Sequence, residues 1–191
     1  MPSLDDDDLM QMYRAGDSDA FDALFDRYAG TVYNFARVML GNADGAEDAM
    51  QEAFMTVART ARSYEPRGRF RSWLLRVVRN QCLNRLQGQS VRRRVIAESG
   101  LDVVERPSRE PSPPERLAAS QEMARLEGRI AELPERQREA LCLYAYEQMS
   151  YQEIGQVLDL PLNTVKTLIH RARAALASSL GTEGGMPWTV A

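Results

Sequence analysis

The sequence predicts an all-α protein of two small helical domains joined by a proline-rich linker. Three observations lead there. Apolar residues recur at three- and four-residue steps through most of the chain, the signature of helices with one buried face. No segment alternates apolar and polar residues as a half-buried strand does, and no internal repeat appears. A polar stretch carrying Pro107, Pro111, Pro113 and Pro114 separates two such periodic regions, and this composition suits an extended spacer. A chain of 191 residues can bury one or two cores. The expected divisions are a first domain over 1–94, a linker over 95–115, a second domain over 116–180 and a loose glycine-rich tail over 181–191.

In the first domain, Phe21, Leu24, Phe25, Tyr28, Val32, Phe35, Ala36 and Met39 trace one face of a long helix that starts after Asp17. Gly41 and Asn42 end it. Asp44 with Glu47 offers a capping box for the next helix, whose buried stripe is Ala46, Met50, Ala53, Phe54, Val57 and Ala61. The opposite face carries Asp48, Gln51, Glu52 and Met55. A loop over Ser63–Gly68 leads to a third helix from about Phe70 to Gln87, where Phe70, Leu74, Val77 and Val78 look inward. Arg69, Trp73, Arg76, Asn80 and Asn84 line another side of it.

Helical pattern resumes at Arg116 and runs to Leu133, with Leu117, Met123, Leu126 and Ile130. Pro134 suits the first turn of the following helix, which carries Ala140, Leu141, Leu143 and Tyr144. The stretch SYQEIGQVLDLPLNTVKTLIHRARAAL, Ser150 to Leu176, then reads as two short helices around a tight turn. Ser150 and Glu153 form a second capping box, and Ile154, Val157 and Leu158 supply the buried side. Asp159-Leu160-Pro161 breaks the helix, because proline cannot continue the hydrogen-bond ladder and restricts its predecessor. Asn163 is the expected N-cap of the next helix. There Val165, Ile169, Ala172 and Leu176 form one apolar stripe, while Thr167, His170, Arg171 and Ala174 point the other way with Lys166 at the flank. A helix-turn-helix lays such a polar face in the major groove; the alternative is a helical hairpin with a solvated basic side.

The formal net charge of −3 conceals an asymmetry. From Met1 to Glu52, twelve acidic residues face only Arg14, Arg27 and Arg37, a net −9; from Ala53 to Arg94, eleven arginines face Glu65 alone, a net +10. A protein that binds DNA unaided is usually basic overall. The acidic block would repel a duplex and invites a positively charged protein partner. No apolar run approaches the ~20 residues needed to cross a bilayer, and the acidic start is unlike a secretory leader. Cys82 and Cys142 fit no metal spacing, which points to buried thiols in a reducing cytoplasm. His170, the single histidine, has no cysteine or histidine partner nearby. With no nucleotide-binding loop, metal cluster or nucleophile–base pair, the sequence gives no reason to expect an enzyme, a cofactor, a metal or a small-molecule substrate.

The motifs AED-x-x-QE-x-F, F-x-x-WL-x-R-x-x-RN and TVK-x-x-x-HRAR are modest singly and specific in this order and spacing around a proline-rich linker. The chain resembles a sigma-70-family initiation factor of the small, two-domain extracytoplasmic-function (ECF) group. The first domain resembles sigma region 2 and the second sigma region 4. The resemblance implies a dissociable subunit that directs core RNA polymerase to specific promoters, reading −35 DNA as duplex and opening and reading the −10 element. It implies that Asp48, Gln51 and Glu52 grip the polymerase clamp helices. Tyr64, Arg67, Arg69, Trp73, Arg76, Asn80 and Asn84 would then meet −10 DNA, with Arg62 and Arg79 as further phosphate contacts. Unstacked bases are held by pockets and aromatic surfaces flanked by cations, which suits these residue types; a core role bracing the helix is the alternative for Trp73. In the second domain Pro161, Asn163, Lys166, Thr167, His170 and Arg171 are assigned to −35 recognition, near a helix N-terminus suited to phosphate. The linker is expected to thread toward the active-centre and RNA-exit channels. An anti-sigma factor, often membrane-bound, is a further implied partner.

Four positions depart from the family pattern. Leu168 stands where relatives commonly carry arginine, Tyr144 where a basic residue is frequent, Asn163 where glycine is usual, and Val57 where tryptophan is frequent. These bear on −35 preference and leave the fold expectation intact. Two rival readings are a stand-alone helix-turn-helix regulator, which would read paired half-sites as a dimer, and a sigma mimic that only binds an anti-sigma factor.

Overall fold

A computed structural model of the chain describes residues 4–99 and 125–180, helices and connecting turns with no strand among them. By its contacts the chain divides into two units, Met1–Val103 and Val104–Ala191.

The first unit holds α1 (Asp6–Arg14), α2 (Ser18–Leu40), α3 (Ala43–Thr60), a 3₁₀ turn (Ala61–Ser63) and α4 (Phe70–Ser99). Helix α1 was not foreseen. Asp5 caps it, accepting from the Asp8 amide at 2.9 Å, and Asp6, Asp7 and Asp8 fill its first turn, where negative charge complements the helix dipole. The run of four aspartates that reads as an acidic tail is thus a helix start, with Leu9 and Met10 buried behind it. Asp17 caps α2 through the Asp19 amide, and Gly41 ends it in the left-handed region at φ 75°, which glycine adopts without strain.

Helix α3 begins two residues before the expected Asp44–Glu47 box. Asn42, extended after the Gly41 turn, accepts from the Gly45 amide at 2.7 Å and takes the cap position. A Cβ on Gly45 would stand 2.7 Å from that Asn42 oxygen, so a larger residue there would make the capping side chain shift. The core joins Ala20, Leu24, Tyr28, Val32, Phe35, Ala36 and Met39 of α2 to Ala46, Ala49, Ala53, Phe54 and Val57 of α3 and Phe70, Leu74, Leu75, Val78 and Cys82 of α4. Met50 and Val77, expected inside, are half-buried; Ala49 and Leu75 take the deeper places. Phe21 and Phe25 are likewise half-buried, packed on Phe54 with ring centroids 6.2 and 4.7 Å away.

Helix α4 continues past Gln87 to Ser99, so positions 95–99 of the expected linker are helical. The rest of that linker, the expected helix start at Arg116 with Leu117 and Met123, and the tail with Trp188 lie outside the described residues.

The second unit comprises α5 (helical over 125–132), α6 (Glu135–Ala145), α7 (Tyr151–Leu158) and α8 (Leu162–Leu180). Pro134 stands one residue before α6 rather than in its first turn: its ψ of 138° is extended, and its carbonyl accepts from Gln137 and Arg138 at 2.8 and 3.0 Å. Helices α6 and α7 both pack on α8. The apolar cluster includes Ile130, Leu133, Leu141, Leu143, Ile154, Val157, Leu158, Val165, Ile169, Ala172 and Leu176, each side chain of Leu or Ile size contributing ~1.5–3 kcal/mol by burial.

Candidate nucleic-acid and polymerase interfaces

The turn between α7 and α8 is fixed by local chemistry. The Ser150–Glu153 box is complete: the Glu153 amide donates to Ser150 Oγ at 3.3 Å and the Ser150 amide to Glu153 Oε2 at 2.8 Å. Asp159 closes α7 in the left-handed region at φ 56°, and its amide and that of Leu160 both donate to the Gly155 carbonyl. Gly155 is required here for space, since a Cβ would lie 2.8 Å from the Leu160 carbonyl oxygen. Sequence reading missed this glycine, because the constraint comes from the chain doubling back five residues later.

Helix α8 starts at Leu162, so Pro161 takes the cap position expected of Asn163. The Pro161 carbonyl accepts from Thr164 and Val165 at 2.9 and 3.1 Å. Asn163 falls in the first turn, exposed, its carbonyl accepting from Thr167 Oγ1 at 2.9 Å. Val165, Ile169, Ala172 and Leu176 are all buried. Pro161, Asn163, Lys166, Thr167, His170 and Arg171 are all exposed, and Leu168 is half-buried at the flank. A continuous polar row therefore runs along α8 opposite its packed side. Tyr144 stacks on Tyr151 at a centroid distance of 5.3 Å and pins α6 to α7. Burial, then the hydrogen bond with Tyr144, raises the Tyr151 hydroxyl above the ordinary tyrosine value.

In the first unit, Arg69, Arg76, Asn80 and Asn84 are exposed along α4 and the loop before it, as is Arg67. Arg67 pairs with Glu65, both largely solvated. Arg79 is buried, only 8% exposed, with an Nη1 hydrogen bond to Asn80 at 3.5 Å, so this arginine does not join the exposed row. Tyr64, among the residues expected at −10 DNA, lies inward. It is buried, its ring 5.8 Å from Phe70 and 5.0 Å from Trp73, and its hydroxyl donates to Asp7 Oδ1 at 2.6 Å. Trp73 is half-buried in the same aromatic cluster.

Asp48, Gln51 and Glu52 are exposed together on α3. Arg85 of α4, which sequence reading did not connect to them, reaches Asp48 at 3.2 Å and Glu52 at 3.6 Å. With both carboxylates more than half exposed, such pairs contribute little to stability and leave the acids open to a partner. Among the described residues no three His, Cys, Asp or Glu side chains gather as a metal site, and no helix is long and apolar enough to cross a membrane. Cys82 and Cys142 are buried thiols in separate units.

Two helical units, one carrying a helix-turn-helix with an exposed polar row, have the form used by a class of DNA-binding proteins. Comparison with known proteins narrows it. The family model for Sigma-70 region 2 matches residues 24–92, and that for Sigma-70, region 4 matches residues 123–176. The ECF RNA polymerase sigma factor SigW of Bacillus subtilis is 31% identical over 90% of this chain and 94% of its own length. The ECF RNA polymerase sigma-E factor of Escherichia coli K12 is 33% identical over 91% of this chain and 93% of its own. Among solved structures, CnrH in complex with the cytosolic domain of CnrY superposes with a TM-score of 0.71 at 25% identity, covering 94% of this chain and 99% of that one. The chain belongs to the sigma-70 family, in its ECF group of RNA polymerase sigma factors.

Proposed function

We propose a division of labour between the two units of this sigma factor. The first docks on core RNA polymerase through Asp48, Gln51 and Glu52 and holds single-stranded −10 DNA along Arg69, Arg76, Asn80 and Asn84. The second reads −35 duplex through Lys166, Thr167, His170 and Arg171, with Pro161 and Asn163 near the phosphates. One observation carries the reading: α4 and α8 each present an exposed polar row opposite a buried apolar one, in a chain that matches both sigma regions in order. Arginines on such rows hold phosphate, and amides hydrogen-bond base edges. The acidic α3 face complements a basic partner helix, setting encounter and register. The protein supplies binding and no bond chemistry, and acts in the cytoplasm where polymerase is. An anti-sigma factor is a further proposed partner, consistent with CnrH having been solved with a bound protein domain.

Run-off transcription with purified core enzyme on genomic fragments tests the proposal. Discrete start sites that require this chain, each preceded by a shared pair of elements, are expected. Start sites unchanged by adding the chain refute it.

A further inference from the structure

Asp7 is the residue of the acidic N-terminus that touches the −10 loop. Its Oδ1 accepts from the Tyr64 hydroxyl at 2.6 Å and its Oδ2 from the Gly68 amide at 2.5 Å. One carboxylate thus ties together both ends of the Tyr64–Gly68 loop, fifty-seven and sixty-one residues away in sequence. Arg14 of the same helix adds a third tie, from Nη1 to the Tyr64 carbonyl at 3.3 Å. Helix α1 is itself anchored: Arg27 of α2 holds Asp6 at 2.5 Å and the Leu4 carbonyl at 3.0 Å, and Tyr28 bonds the other Asp6 oxygen. Gly68 sits at φ 62° with open space where a Cβ would be. Its glycine therefore serves backbone conformation, and that conformation aims the amide at Asp7. Between the tied ends, Glu65, Pro66 and Arg67 are exposed, followed by Arg69.

We propose that Asp7 is a positioning residue for −10 recognition: its carboxylate holds the Tyr64–Arg69 loop in the shape that receives unstacked bases. This rests on the assignment of that loop to −10 DNA made above. A loop already ordered loses less conformational freedom when it traps a base, and the two side-chain oxygens of Asp7 each hold one end of this one. The acidic start of the chain then has a geometric role inside the first unit, apart from any repulsion of DNA.

The test uses holoenzyme assembled from the full chain, with the single-stranded −10 segment of a promoter mapped by run-off transcription as probe. Asp7→Ala is expected to weaken binding of that strand about tenfold and to slow promoter opening, leaving the −35 footprint and core binding unchanged. Tyr64→Phe, which keeps the ring and removes one donor, is expected to cost about threefold, and the double variant no more than Asp7→Ala. Asp7→Asn is expected to stay within about twofold of wild type, because its Oδ1 can accept from Gly68 while its amide donates to Tyr64 Oη. If Asp7→Ala lowers Tm or the −35 footprint, the decision passes to Tyr64→Phe and Asp7→Asn, which leave the packing in place. Wild-type affinity in Asp7→Ala, or in Tyr64→Phe where the decision has passed to it, overturns the proposal. So does an equal loss in Asp7→Asn and Asp7→Ala, which would assign the effect to charge, or tighter binding in Asp7→Ala, which would make Asp7 a competitor of DNA. A wild-type holoenzyme that ignores the −10 strand would instead overturn the functional assignment, and this inference with it.

Discussion

Along α8, helical periodicity accounts for which residues face solvent; along α3, α4 and the loop between them it does so except where contacts from distant parts of the chain intervene. Val165, Ile169, Ala172 and Leu176 are buried and Lys166, Thr167, His170 and Arg171 exposed, as the 3.6-residue repeat requires. In the first unit, the buried Tyr64 bonds Asp7, fifty-seven residues earlier, and the acidic pair Asp48 and Glu52 is met by Arg85, thirty-seven residues beyond Asp48. The comparison teaches that a surface built on one helix can be read from spacing. One assembled across elements needs the tertiary structure, even when each helix is predicted correctly.

Four perturbations sharpen that contrast, in falling order of effect. Replacing Asp48 and Glu52 together by arginine should abolish co-purification with core polymerase, since it reverses the charge of the docking face. Circular dichroism should show the helices intact, because both side chains are more than half exposed; retained co-purification would remove the docking assignment. Gly155→Val should destabilise the second unit by about 1–3 kcal/mol, the usual cost of forcing extra carbons into a packed site. The clash with the Leu160 carbonyl cannot be relieved by a rotamer change, so thermal unfolding should register it together with a lost −35 footprint. Arg171→Ala should weaken −35 duplex binding by about 1–3 kcal/mol if its guanidinium meets a base edge, with no change in Tm. An unchanged footprint would shift the reading face to another side of α8. Arg85→Ala should change stability by less than about 1 kcal/mol, and a larger loss would show that its bridge to α3 is structural.

What was legible follows the same division. The succession α2 to α4 and α6 to α8, the Ser150–Glu153 box and the α8 stripe came from local rules, and they hold. Helix α1 was hidden because DDDD reads as charge before it reads as a cap and first turn. The start of α3 was misplaced by two residues because two capping chemistries compete there, and Asn42, next to the left-handed Gly41, reaches the free amide first. Pro134 stands one position before its helix instead of in the first turn, its extended carbonyl accepting the first helical bonds, and Pro161, expected only to break α7, takes the cap position expected of Asn163. Arg79 illustrates the limit of composition. Eleven arginines between Ala53 and Arg94 suggest a uniform basic surface, yet this one is packed inside.

The alkaline limb of stability offers a check on the buried tyrosines. Burial first, then the bonds to Asp6 and Asp7, raise the hydroxyls of Tyr28 and Tyr64 well above the ordinary tyrosine range. The unfolded chain releases those protons near pH ~10 while the folded chain keeps them, so stability should be full below that pH and fall as pH rises beyond it. Asp7→Ala should soften the decline by returning Tyr64 toward its ordinary value.

The separation of reading tasks is most directly tested on one mapped promoter, by permanganate reactivity at the −10 element with holoenzyme carrying Asn80→Ala or Arg171→Ala. Saturating holoenzyme should restore full reactivity for Arg171→Ala, whose defect is in duplex binding, and fail to restore it for Asn80→Ala, whose −35 footprint stays intact. Restoration of both variants, or of neither, would contradict the assignment of −10 opening to the first unit and −35 reading to the second.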